Sequence, residues 1–499
     1  MSLLGIDVGT TGVKVALFTE QGLMLASAYR EHQDHRPQPG YAELDASEVW
    51  LGVKSAIREV TAACPHSSIQ ALSVSSMGEA VVPVTANRQI LAPSILNFDI
   101  RGAEETIELA PLFENKALYA INGNTFGNHY SLTKLKWIQR HQPELYARTY
   151  KFLHWSGFIS FMLGAEAAVD YSLANRTLLF DLAQCCWSAE LLQRAAIDGD
   201  KLPDPVPSGT VIGTVSAELA AELGLPSGVK IISGAHDQCA NAIGCGVIDS
   251  GNAVYGMGTY LCITPVFSQR KSAEVMLPRG LNTEHHAVPD RFVSFLYNQG
   301  GALVKWFRGV FAAAEHAAAL ANGRDVYSSL FAELPPQPSS VLVLPHFTTT
   351  GPPEYISDSS GIISGLHLDT TRGDILKGII EGAAFYLKQV VESLPETGIA
   401  IQQYRAVGGG SQSNAWVQLS ADILGAPMVR PRVTEAGALG AAMMAGVGCG
   451  SFANYTQAVD VMVQLDQQFD PNPCLHQQYQ ERFLQYQEFA ATAGGLSRL

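Results

Sequence analysis

Asp237 follows the apolar run Val229–Ser233, within Gly234-Ala235-His236-Asp237-Gln238. A carboxylate at the carboxyl end of a strand faces the crevice of an open α/β sheet. There it can take a hydroxyl proton while a nucleophile and a phosphate align. It can equally be the N-cap of a helix over Gln238–Ile243. A second carboxylate, Asp7, ends the apolar run from Leu3 and is followed by Gly9-Thr10-Thr11-Gly12 and Lys14. Successive backbone amides in such a turn form an anion nest. Thr10 and Thr11 add hydroxyl donors, Lys14 adds a point charge, and Asp7 can hold Mg²⁺ through water, since that ion takes one or two carboxylates plus phosphate oxygens. The plain alternative is a hairpin with a solvated lysine.

Gly258-Thr259 repeats that turn, and Gly408-Gly409-Gly410 stands before a helix. Bare backbone there lets a flat ring or a phosphate come close, and the helix N-terminus favours anions. The alternative use of the three glycines is a flexible C-cap loop. Met77-Gly78-Glu79 follows the strand-like run Ile69–Ser75. Both oxygens of Glu79 can accept from hydroxyl groups. Asn97, Asp99 and Arg101 make a second polar cluster, and either cluster can also be a solvated loop. Other nucleotide cradles are missing from the sequence: no Gly-Lys dipeptide for a Walker A loop, and no G-x-G-x-x-G after a strand.

These residues need elements to hold them. Leu3–Val8 and Val13–Phe18 around the Gly/Thr turn read as a hairpin. Strand, Gly-Thr turn, strand recurs at Val254–Phe267. Two similar halves, each presenting such a hairpin, predict a duplicated α/β domain with a cleft between the copies. Asp45-Ala46-Ser47-Glu48 reads as a capping box with Asp45 as N-cap, and Val49, Trp50, Val53, Ile57 and Val60 follow at helical spacing. Asp249-Ser250-Gly251 is a turn signal. It divides the chain into residues 1–248, with the first phosphate motif, the acceptor residues and Asp237, and residues 249–499, with the nucleotide-side motifs.

The bulk numbers agree. A chain of 499 residues calls for two large cores, and 47% hydrophobic against 16% charged residues can fill them. A formal net charge of -14 repels phosphate backbones and anionic membranes, which argues against nucleic acid and membrane partners. The longest small-apolar run, Ala436–Cys449, is too short to span a bilayer. The N-terminus shows no basic signal region, and the 8 cysteines form no C-x-x-C pair, so reduced thiols in the cytoplasm are expected.

Taken together, these segments resemble the FGGY carbohydrate kinases, most closely the xylulokinase branch, from Leu4 to about Gly450. Gly5-Ile6-Asp7-Val8-Gly9-Thr10-Thr11 resembles the first phosphate motif, and Pro39–Asp45 is similar to an early family segment. Ser131–His141 and Gly361–Glu381 resemble the two signatures, with departures at His129 and Gly378. Gly408–Asp422 resembles the adenosine-side motif. The resemblance implies two duplicated ribonuclease H-like ATPase domains of the actin and hexokinase type, with ATP and sugar meeting in the cleft. It implies Asp237 as general base and Asp7 as support for Mg²⁺, with Asp237 beside it. Thr10, Thr11, Lys14, Gly258 and Thr259 would face the phosphates. Gly301, Lys305, Gly409, Gly410, Ser413 and Asn414 would line the nucleotide. The acceptor would meet Met77, Gly78, Glu79, Asp99, Arg101, Asp237 and Gln238.

The implied reaction is ATP-dependent phosphorylation of a sugar hydroxyl, on a ketose such as xylulose. The branch usually carries a Met-His pair on the sugar. Here Gly78 stands for the His, while Glu79 and Asp237-Gln238 resemble the glycerol kinase branch, so another ketose or a polyol is the alternative. Gly78 is expected to open the space an imidazole would fill. A non-catalytic sugar sensor on the same fold, and an ATPase that moves protein partners, are the rivals. The two carboxylates speak against the sensor. Relatives of this kind allow a homodimer.

Overall fold

The computed structural model describes residues 1–356, 359–433 and 435–493. Two sheets organise them. The first is built from β1 (Ser2–Val8), β2 (Gly12–Thr19), β3 (Met24–Glu31), β4 (Ile69–Ser76), β5 (Val211–Thr214) and β6 (Lys230–His236). The second contains β7 (Gly251–Met257), β8 (Tyr260–Phe267), β9 (Leu296–Gln299), β10 (Ile401–Val407), β11 (Met428–Pro431) and β12 (Leu465–Phe469). The short strands Glu284–His285 and Phe292–Val293 extend its β8 side. Leu3, Leu4, Ile6 and Val8 are all buried, as in strands covered on both faces.

The predicted duplication is visible in the strand order. The first sheet runs β3-β2-β1-β4-β6, with β1 antiparallel to β2 and parallel to β4, and β4 parallel to β6. The second runs β9-β8-β7-β10-β11 with the same senses at each step. The repeated unit is therefore five strands. Each copy adds an antiparallel edge strand, but β5 precedes β6 in the chain whereas β12 follows β11.

Seven helices position the site: α1 (Ala46–Ala63), α2 (Ser131–His141), α3 (Asp237–Gly244), α4 (Gly301–Phe311), α5 (Arg372–Ser393), α6 (Asn414–Leu424) and α7 (Ala436–Cys449). Asp45 caps α1, accepting from the amides of Ser47 and Glu48 at 2.8 and 3.2 Å. Glu48 stands 3.7 Å from His35, so this cap has one arm rather than the two of a capping box. A reciprocal box exists instead at α5, between Thr371 and Asp374. Gly378, the departure in the second signature, has a packing reason: a Cβ there would lie 2.9 Å from the Val341 carbonyl oxygen.

Helices α3 and α7 follow the equivalent strands β6 and β11. Both sit in one core with side chains from both sheets, including Leu3, Phe18, Val254 and Val266. Their small residues let backbones touch. A Cβ on Gly440 would collide with the Ala240 carbonyl, one on Gly244 with that of Ala436, and one on Gly5 with that of Ala438. So α7, late in the sequence, is packed directly on β1 and on α3, and the two halves share a seam.

Candidate active site

The parallel strands explain why distant segments converge. Asp7 lies in the last turn of β1, Met77-Gly78-Glu79 leaves β4, and Asp237 leaves β6, all at carboxyl ends of one sheet. Gly258-Thr259 leaves β7, Gly408–Gly410 leaves β10 and Glu435 lies beyond β11 at the same ends of the other sheet. Carboxyl ends are where open α/β sheets bind ligands.

Asp237 is the first residue of α3, and the N-cap is His236, which makes no side-chain cap bond. The N-cap alternative for Asp237 is thus replaced: its carboxylate is left for other work. Oδ1 accepts from Gln238 Nε2 at 3.2 Å and stands 3.2 Å from His236 Nε2. About a quarter of the side chain (27%) meets solvent. Burial, and next the Asp7 charge, push this carboxyl up to about 7. Asp237 in turn raises the thiol of Cys262 on β8. Asp7 is pushed up to about 6, first by burial, against the Ser75 hydroxyl that donates to it at 2.9 Å.

Two neighbouring carboxyls above their ordinary range form a pair that a divalent cation would relieve. Among the described residues no group of three or more His, Cys, Asp or Glu side chains could hold a metal by itself. That fits an ion held partly by phosphate oxygens, as Mg²⁺ usually is. Thr10 and Thr11 are exposed at the first hairpin tip. Lys14 is ion-paired to Glu435 at 2.6 Å, across the seam, rather than solvated.

In the second half, a cavity of about 1230 Å³ is lined by Gly258, Thr259, Gly301, Lys305, Gly409, Gly410, Ser413 and Asn414, all eight nucleotide-side residues read from the sequence in this half. Met257, Val304, Phe331 and Trp416 give it an apolar wall suited to a flat heteroaromatic ring. The amides of Gly301 and Ala302 at the start of α4 donate to the Gly258 and Thr259 carbonyls at 2.9 and 3.0 Å, which fixes that hairpin tip. Ser413 is the N-cap of α6, and Asn414 Oδ1 accepts from Arg430 at 2.9 Å. The three glycines thus open a helix and are not a C-cap.

The acceptor side departs further from the sequence reading. Met77 is buried in the first-half core. Glu79 has φ +39, an uncommon backbone for a residue with a side chain, of the kind that gathers at functional sites. Its oxygens are already engaged, Oε1 by Arg176 and Oε2 by Asn97 Nδ2 at 3.2 Å, so neither is free to grip a hydroxyl on its own. Asp99 and Arg101 bond to each other and to other segments. They form a buried pair in which Asp99 also accepts from the Ala42 amide at 2.5 Å and Arg101 is bound to Glu43. Lys134 of α2 holds the carbonyls of both at 2.8 and 2.6 Å. Through Ala42 and Glu43 the pair ties Pro39–Asp45 to this loop.

Gly78 does not leave an open space either. A Cβ would lie 3.2 Å from His236 Nε2 and 3.4 Å from Arg176 Nε, so an imidazole and a guanidinium from other segments already stand there. Arg176, Glu284 and Asn282 were not identified from the sequence. Nothing periodic marks them, and Arg176 stands between Asn175 and Thr177 with no local signal.

A five-strand unit used twice, with phosphate-type turns on both copies and a carboxylate of raised pKa between them, is the construction of a two-lobed phosphotransferase. Comparison with known proteins gives the particular family. The N-terminal domain of the FGGY family of carbohydrate kinases matches residues 2–244, and its C-terminal domain matches residues 254–449. A xylulose kinase of Staphylococcus epidermidis is 27% identical over 97% of this chain and 95% of its own. An autoinducer-2 kinase of Salmonella typhimurium is 29% identical over 99% and 95%. The solved xylulose kinase from Rhodospirillum rubrum superposes with a TM-score of 0.89 at 26% identity, covering 100% of both chains. The chain belongs to the FGGY family of carbohydrate kinases, and it is an enzyme that phosphorylates a sugar.

Among the described residues no helix is long and apolar enough to cross a membrane.

Proposed function

We propose that this kinase transfers the γ-phosphoryl group of ATP to a hydroxyl of a ketose, with xylulose as the first candidate, and that Asp237 is the general base. The observation that carries this reading is the Asp237 carboxyl itself. It leaves β6 at the carboxyl end of the first sheet, and burial and the Asp7 charge raise it to about 7. A base of that pKa is half ionised near neutrality and is matched to taking a proton from an attacking hydroxyl.

In this reading the attacking oxygen forms its bond to the γ-phosphorus as the bond to the β,γ-bridging oxygen breaks, the hydroxyl proton passes to Asp237, and ADP leaves. Thr10, Thr11 and the Gly258-Thr259 tip hold phosphate oxygens, and Lys14 exchanges Glu435 for phosphate. Gly409, Gly410, Gly301, Lys305, Ser413 and Asn414 line the nucleotide. Asp7, with Asp237 beside it, would hold Mg²⁺, which would supply charge neutralisation on the phosphates. Gln238 orients the Asp237 oxygen to which it donates.

The division into lobes at about Asp249 is part of the proposal; the separate matches on either side of it support it. A cytoplasmic setting is supported by the eight cysteines, all free thiols. A homodimer stays a proposal from resemblance.

A second reading keeps the chemistry and changes the acceptor to a polyol or another ketose. The Gly78-Glu79 pair favours it, because Arg176 and His236 fill the position beside Gly78. ADP release from MgATP across pentuloses, hexuloses and polyols tests both. Turnover with one ketose supports the first reading, turnover with a polyol alone supports the second, and ATP binding without turnover on any of them contradicts both.

A further inference from the structure

Arg176 is held on all sides. It is ion-paired to Glu79 and, through Nη1 at 2.5 Å, to Glu284. The Tyr130 and Phe295 rings lie 5.0 and 5.8 Å from its guanidinium carbon. Its Nε and Oε2 of Glu284 are buried and have no hydrogen-bond partner among the described residues. Glu284 is 1% exposed, and Asn282 donates to its other oxygen at 2.5 Å.

The charges around Arg176 do not balance. One cation faces two carboxylates, Glu79 and Glu284. Lys134 is turned to three backbone carbonyls elsewhere. The positive charge of Arg176 is thus spent on two protein carboxylates, Glu79 and Glu284.

We infer that Arg176 is a specificity-determining residue, and that the Glu79–Arg176–Glu284 cluster restricts the acceptor to uncharged polyhydroxy compounds and rejects aldonates of the same carbon skeleton. A carboxylate needs a cation with charge to spare, and like charges set side by side cost several kcal/mol. A hydroxyl needs neither. It can accept from an N–H such as Arg176 Nε–H and donate to a carboxylate oxygen such as Glu284 Oε2. The inference rests on the kinase reading above and goes further by excluding a substrate class.

Matched pairs test it: xylitol against xylonate and glucitol against gluconate, with xylulose included, in the wild type and in Glu284→Gln. The wild type should use the best neutral acceptor with kcat/KM about 100-fold or more above any aldonate. Glu284→Gln returns part of the Arg176 charge and should narrow that ratio about tenfold, chiefly through a lower KM for the aldonate. Glu79→Gln is the second variant, read by the same ratio, should Glu284→Gln fail to fold. Aldonate use equal to neutral use in the wild type, or a ratio unmoved in a folded variant, would overturn the inference while leaving the kinase reading intact. Transfer to no compound at all would overturn both.

Discussion

Gly437 of α7 abuts Asp7 of β1: a Cβ on Gly437 would stand 2.6 Å from Asp7 Oδ2. The helix that follows the fifth strand of one repeat therefore presses on the carboxylate that ends the first strand of the other. Its N-cap residue, Glu435, also takes Lys14 at 2.6 Å. Both halves thus set the first phosphate hairpin.

Gly437→Ala should displace Asp7 or lift α7. We expect kcat to fall about 10- to 100-fold, because small misplacements of reacting groups cost that much, with the acceptor KM changed little. Steady-state kinetics decide it. An unchanged kcat would mean that Asp7 does not need its present position.

The pKa of Asp237 predicts a pH profile. A base must be ionised to accept the proton, and its folded pKa is about 7. The kcat/KM for the acceptor should rise about tenfold per pH unit below that value and level off above it. A flat profile between pH 5 and 8 at saturating MgATP would speak against Asp237 as the base.

The same shift makes a stability prediction of defined sign. The folded carboxyl, at about 7, lies above its ordinary 3.8. The folded state therefore holds the proton more tightly, and this group's contribution is fully favourable below about pH 4 and lost as pH rises through 7. Asp237→Asn should be more stable than wild type at pH 8, by on the order of 1 to 3 kcal/mol, and equal to it near pH 4. Thermal unfolding at the two pH values measures this. A variant less stable at pH 8 would show that the carboxylate is already neutralised in the fold.

The seam between the halves has its own test. Gly440→Ala would drive a methyl into the Ala240 carbonyl on α3. Such overpacking against backbone should cost about 3 kcal/mol or more, read as a lower denaturation midpoint. Gly409→Ala, where nothing lies within 4 Å, should leave stability nearly unchanged and serves as the contrast.

What the sequence made legible was local. Both hairpins could be read because Gly/Thr turns separate apolar runs, and the wall of the second-half cavity could be read because Gly408–Gly410 sits directly before a capped helix. The Glu79–Arg176–Glu284 cluster was not legible in the same way. Arg176 lies 97 residues from Glu79 and 108 from Glu284, and only the fold pairs them. Gly78 looked like lost bulk because the side chains that fill its place come from two other segments. That Asp99 and Arg101 pair with each other was not legible either, because burial of an ion pair leaves no mark on the chain. Asp237 had two local readings, and the position of the helix start by one residue chose between them.

The central claim is that Asp237 takes the acceptor proton. Asp237→Asn keeps the shape of the side chain and removes the base. With MgATP and the best acceptor, its kcat should fall about 10²- to 10⁴-fold, while MgATP binding, followed by titration calorimetry, stays within about threefold of wild type. Turnover near the wild-type rate with ATP bound normally would contradict the account.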